Sequence, residues 1–110
     1  MPDTRTYDLV LLGATGFTGG LVAEHLARRL AGTTTRWAIA GRSRDKLDQV
    51  RDRLAPLGSE PAVEVVDVHD LVGLLGLAEQ TRVLATTVGP YAEHGELVVQ
   101  ACVRSGTDYC

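Results

Sequence analysis

A chain of 110 residues, 45% apolar and 23% charged, carries material for one hydrophobic core and at most one domain. Its formal net charge of -3, with basic and acidic residues mixed along the chain, leaves no basic footprint for nucleic acid. No segment has the length of a transmembrane helix, and the N-terminal residues lack the build of a signal or transit peptide, so a cytoplasmic setting is expected.

Tyr7-Asp8-Leu9-Val10-Leu11-Leu12 is a short apolar run stopped by glycine, the pattern of a strand buried on both faces of a parallel sheet. From Phe17 the period changes. Leu21, Val22, Leu26 and Leu30 recur at helical spacing, with Gly32 where a helix end would place it. Trp37 to Ala40 forms a second apolar run ended by Gly41. Leu47, Val50, Leu54 and Leu57 then mark a second helix face before Gly58. Residues 62–68 are Val-rich and read as a third strand. Asp70 is placed to cap a third helix with a stripe of Leu71, Leu74, Leu75 and Ala78, weakened by Gly73 and Gly76. Residues 82–88 read as a fourth strand, residues 96–105 as a fourth helix ending at Gly106, and Thr107 to Cys110 as the opening of a fifth strand. Four consecutive strand–helix pairs predict an α/β fold: a Rossmann-type, doubly wound parallel sheet with right-handed crossovers. Residues 1–110 are expected to be one NAD(P)-binding domain. The two cysteines, Cys102 and Cys110, lack the spacing of a disulfide framework or a zinc site, so both are expected to be reduced and no metal is expected.

The first strand–helix turn reads Gly13-Ala14-Thr15-Gly16-Phe17-Thr18-Gly19, with a glycine at every third position. Gly13 allows a sharp turn, Gly16 lets the backbone approach a phosphate, and Gly19 lets the helix sit close to the sheet. Free N–H groups and the positive end of the helix dipole favour an anion there. The Gly-Lys-Ser/Thr of a triphosphate loop is missing, so the expectation is a dinucleotide pyrophosphate held by residues 13–18. A plain tight turn with a small-residue helix contact would account for the glycines alone.

At the end of the second strand, where an NAD site would carry an acid for the ribose hydroxyls, stands Gly41-Arg42-Ser43-Arg44, with Lys46 one turn on. Arg42, Ser43 and Lys46 suit a 2′-phosphate, which makes NADP(H) the expected cofactor. The competing account has Ser43 only capping the second helix and the basic residues solvated. Asp67 and Val68 fall where such folds approach the adenine ring, a turn role for Asp67 being the alternative. Val88, Gly89, Pro90 and Tyr91 leave the fourth strand at the sheet's switch point and can border the ribose and nicotinamide. Tyr91 and His94 could also sit near the ring, but no catalytic acid or base is assigned.

These segments, with Val99-Gln100-Ala101-Cys102 running into Gly106-Thr107-Asp108-Tyr109, resemble the N-terminal NADP-binding domain of saccharopine dehydrogenase-like oxidoreductases. Within that family the chain is most similar to the branch of trans-acting enoyl reductases and saccharopine dehydrogenase-like oxidoreductases. Members of the family are longer, with a second domain enclosing the substrate, so the resemblance implies the N-terminal portion of a longer, NADP-dependent reductase, inactive as this fragment. The implied substrate is a small molecule, here a lipid-linked enoyl group. The alternative function is a non-catalytic NADP-binding module that senses redox state or regulates a partner. A sheet stopping at a partial fifth strand is also expected to self-associate through that edge.

Overall fold

In the computed structural model, which describes residues 5–87 and 96–110, Val10, Leu11 and Leu12 are each no more than 1% exposed. A strand buried so completely must have partners on both edges and cover on both faces. It is the central strand of a five-stranded sheet ordered β3-β2-β1-β4-β5, with every neighbouring pair parallel. The elements run β1 (Tyr7–Leu12), α1 (Phe17–Leu30), β2 (Trp37–Gly41), α2 (Arg44–Leu54), a 3-10 turn (Ala55–Leu57), β3 (Ala62–Val65), α3 (Leu71–Glu79), β4 (Thr81–Thr86), α4 (Glu96–Ser105) and β5 (Asp108–Tyr109).

Ala23 and Ala27 of α1 and Leu47, Val50 and Leu54 of α2 pack with Leu11, Trp37 and Ile39 on one face of the sheet. On the other face, Leu74, Leu77 and Ala78 of α3 and Val98, Ala101 and Cys102 of α4 meet Val10, Leu12, Ala38, Ala40 and Leu84. The chain therefore winds outward from β1 in one direction through β2 and β3, then returns to wind the other way through β4 and β5. This is the doubly wound arrangement, and its strands all end at the same edge.

Three details depart from the periodicity. The buried face of α1 is Gly19, Ala23 and Ala27, while Leu21 is 54% exposed and Val22, Leu26 and Leu30 only flank the contact. Small residues let the helix lie close on the sheet, and the larger ones close its sides. In α3, Leu77 takes a core position, while Leu71 and Leu75 are only partly buried. Finally, β3 is an edge strand that follows β2 only as far as the Gly41–Val65 pair, so it ends earlier than the valine run suggests. The Asp70 cap is present, its side chain accepting from Gly73 N at 3.2 Å.

The end of the sheet opposite the strand C-termini is held by Arg5. Its guanidinium donates to the carbonyl of Thr81, to Thr107 Oγ1 at 2.8 Å and to the Ser105 carbonyl at 2.6 Å. The buried Thr107 hydroxyl in turn donates toward the Ala78 carbonyl at 2.6 Å. One cation thus donates to backbone acceptors at the end of α4 and the start of β4, the Thr81 carbonyl also lying 3.1 Å from the Thr107 hydroxyl. Arg5→Ala is expected to lower the stability of the chain by about 2 kcal/mol, the scale of hydrogen bonds to a charged group, measured by denaturant unfolding. An unchanged midpoint would show that the clasp contributes nothing.

Candidate functional site

Because β1 leads its chain toward β2 and β4 leads its chain toward β5, the C-terminal edge between them is the switch point at which sheets of this topology bind ligands. The glycine turn occupies one side of this edge. Gly13 has a φ of +96°, a conformation that costs other residues energy, and its N–H donates to the Ala40 carbonyl at 3.0 Å. Its carbonyl accepts from Gly16 N and from the Thr87 hydroxyl, each at 3.2 Å. A Cβ on Gly19 would lie 1.8 Å from that carbonyl oxygen and 2.8 Å from Thr87 Oγ1, so α1 can approach the turn only with glycine there.

Gly16 is different. It caps α1 with an extended backbone, φ -78° and ψ 171°, that any residue adopts. Among the described residues, a Cβ there would meet nothing nearer than the Gly13 carbonyl oxygen at 3.7 Å. Neither its torsion nor packing among the described residues requires a glycine, and its open side leaves room for a ligand to lie on the backbone. The helix start beside it has no side-chain cap and no acidic residue in its first turn. Its leading N–H groups are therefore available to an anion, and the helix dipole favours one. Around this cradle Thr15, Phe17 and Thr18 are exposed, while Ala14 is wholly buried and can offer only its backbone.

At the end of β2, Arg42 and Lys46 are exposed. Ser43 caps α2, its Oγ accepting from Lys46 N at 3.4 Å, which leaves the hydroxyl proton free to be donated elsewhere. The capping reading of Ser43 is thus realised without removing its use as a donor. Between the glycine turn and α2 lies an open cleft of about 530 Å³ lined by Thr15, Lys46, Gln49, Val50, Asp52 and Arg53. Another cavity, about 430 Å³, lies at the opposite end of the sheet beside Tyr7, Trp37 and Ser59, away from the glycine turn.

Asp67 stands beyond the end of β3 in a turn, its Oδ1 accepting from His69 N at 2.9 Å and its carbonyl from Asp70 N at 3.0 Å. Val68 packs against the core on the α3 side. The turn role held open for Asp67 is thus realised, and Val68 has a packing role besides. Val88, Gly89, Pro90, Tyr91 and His94 lie outside the described residues. Thr87 heads the segment expected at the switch point, but its hydrogen bond to the Gly13 carbonyl was not anticipated, nor was Arg53 as a neighbour of the site. Both follow from tertiary placement, which no local pattern in the sequence signals.

Among the described residues, the ionisable groups that shift lie away from the glycine turn. Burial, reinforced by the Glu64 carboxylate 2.6 Å away, pushes the Tyr7 phenol up to about 12, and burial pushes the Cys102 thiol up to about 11. Both are therefore protonated at neutral pH and suited to packing. Asp8 is held below its ordinary range by the backbone N–H and guanidinium of Arg36 at the far end of the sheet.

The family profile of the saccharopine dehydrogenase NADP-binding domain matches residues 9–110. The chain belongs to this family. Among its relatives, a trans-acting enoyl reductase of Mycobacterium leprae is 47% identical over 108 residues, covering 98% of this chain and 25% of that protein. A saccharopine dehydrogenase-like oxidoreductase of Mus musculus is 38% identical over 115 residues, covering 96% of this chain and 27% of that protein. The chain thus spans about a quarter of the length of these curated relatives. The apo saccharopine dehydrogenase (L-Glu forming) of Saccharomyces cerevisiae superposes with a TM-score of 0.71 at 24% identity, over 94% of this chain and 21% of that one, a likeness of fold.

The cofactor of this saccharopine dehydrogenase-type domain is NADP(H). The open side of Gly16, the uncapped helix start and the Arg42-Ser43 pair fit its pyrophosphate and 2′-phosphate in chemistry. The two glycines should respond differently to substitution. Gly16→Val is expected to keep the parent's melting temperature and to weaken NADPH binding by at least ~10-fold, by filling the space beside the backbone. Gly19→Ala is expected to lower the melting temperature. Thermal melts and NADPH fluorescence titrations of both variants check this, and undiminished binding by Gly16→Val would contradict the placement.

Proposed function

We propose that this chain is the cofactor-holding domain of an NADPH-dependent reductase that reduces an activated carbon–carbon double bond on a lipid-linked substrate. The reductase class follows from the relatives named trans-acting enoyl reductase, and lipid metabolism is the setting that this class implies. Bound NADPH would supply the hydride, and the chain's own residues would hold and orient the cofactor. Backbone N–H groups of Phe17 and Thr18 at the start of α1 receive the pyrophosphate over the open side of Gly16, whose own N–H closes the turn onto the Gly13 carbonyl, with Ala14 and Thr15 completing the turn. Arg42 and Ser43 receive the 2′-phosphate, and Lys46, one turn on and lining the cleft beside Thr15, adds a second positive charge. The single observation that carries the reading is the space beside Gly16, which no contact among the described residues requires.

The same proposal places Val88, Gly89, Pro90 and Tyr91 along the ribose and nicotinamide, and Asp67 and Val68 near the adenine. The substrate is enclosed by parts of the protein beyond these 110 residues, so this chain binds cofactor without turnover. Self-association is part of the proposal too, since β5 forms an edge of the sheet and edge strands pair readily with another copy. Cys102 and Cys110 are both free thiols, which suits a reducing, cytoplasmic compartment.

Calorimetric titration with NADPH and NADH tests the cofactor assignment. NADPH is expected to bind more tightly by ~1.5–3 kcal/mol, the scale of a hydrogen bond to a charged group, and Arg42→Ala should erase most of the difference. Equal affinities in the parent, or tighter NADH, would overturn the 2′-phosphate role.

A further inference from the structure

Thr87 is the first residue beyond β4, and its backbone position is set by the sheet. Its N–H donates to the Leu12 carbonyl at 3.0 Å, while the N–H of Thr86 donates outward to the Cys110 carbonyl at 3.0 Å. Held between β1 and β5 in this way, the Thr87 side chain is delivered over the glycine turn. Its hydroxyl donates to the Gly13 carbonyl at 3.2 Å, and the same oxygen stands where a Cβ on Gly19 would be only 2.8 Å away. The Gly13 carbonyl also receives the Gly16 N–H. It is therefore the point at which β4 touches both ends of the turn that presents Gly16.

We propose that Thr87 is a positioning residue for the cofactor: its hydroxyl fixes the Gly13 peptide and thereby aims the Gly16 end of the turn at the pyrophosphate. This rests on the reading of residues 13–18 as the pyrophosphate cradle. The physical reason for such a latch is that Gly13 and Gly16, lacking side chains, have a wide choice of backbone angles, and a loose turn would spend binding energy on becoming ordered. A hydrogen bond from a residue fixed by the sheet removes that freedom before the ligand arrives. Valine matches threonine in shape without the donor, and serine keeps the donor without the methyl group.

The test compares NADPH dissociation constants for the parent, Thr87→Val, Thr87→Ser and Arg5→Ala, each with a thermal melt. Thr87→Val is expected to weaken NADPH by about 3- to 10-fold, the range of one net hydrogen bond. Thr87→Ser should bind within about twofold of the parent, by retaining that bond. Arg5→Ala, destabilised at the far end of the sheet, should melt earlier and bind NADPH as the parent does. Should valine crowd Gly19 and prevent folding, Thr87→Ala serves the same comparison with the same expected loss. Parent-like affinity in Thr87→Val, or a loss in Thr87→Ser equal to that of valine, would overturn the proposal. So would an equal loss in Arg5→Ala, which would assign the effect to general stability. A parent that binds no NADPH would overturn the pyrophosphate reading as well, whereas a binding parent with an indifferent Thr87→Val overturns the latch alone.

Discussion

The carbonyl of Gly13 is the contact on which the candidate site depends. It closes the turn by accepting the Gly16 N–H, and it receives the Thr87 hydroxyl from β4. It also stands so close to α1 that Gly19 has no room for a Cβ. Each condition constrains the others. A helix that could not approach this carbonyl would not bring its N-terminus over the end of β1, and a turn without the positive φ of Gly13 would not aim the carbonyl there. What remains once these demands are met is the open side of Gly16 beside an uncapped helix start, which is where an anion gains most from backbone N–H groups and the dipole.

The rest of the fold serves to hold that edge still. Parallel pairing puts the C-terminal ends of all five strands on one side, so the residues after β1, β2 and β4 share a rim although they are far apart in sequence. Helices pack both faces, and the opposite end is tied by the Arg5 and Thr107 hydrogen bonds and by the ion pairs of Asp8 with Arg36 and Arg82. Among the described residues, Tyr7 and Cys102, whose protonation burial shifts upward, belong to the packed interior. Stability and binding are thereby separated in space, which lets the rim be built from small and flexible residues without loosening the core.

Much of this was legible in the sequence because it is local. The alternation of apolar runs with helical stripes reveals the strand and helix order, and the three glycines at every third position mark the turn. The reading was weaker where tertiary packing overrides periodicity. The leucines of α1 suggested its buried face, but close approach to the sheet selects Gly19, Ala23 and Ala27 instead. The valine run suggested a longer third strand, but an edge strand ends when its single partner ends, and Asp67 then turns the chain. The Thr87–Gly13 hydrogen bond joins residues 74 apart, and the Arg5–Thr107 bond joins residues 102 apart. Each is a consequence of strand order, and neither has a signature in the neighbouring residues.

The central claim is that the Gly13-to-Gly19 turn receives the pyrophosphate of NADPH, and backbone amide NMR during an NADPH titration tests it most directly. The account predicts the largest shifts at the amides of Gly16, Phe17 and Thr18, with further changes around Arg42 and Ser43 and none at Arg5 or Thr107. Saturable shifts centred away from the glycine turn, with the amides of residues 16–18 unmoved, would contradict it.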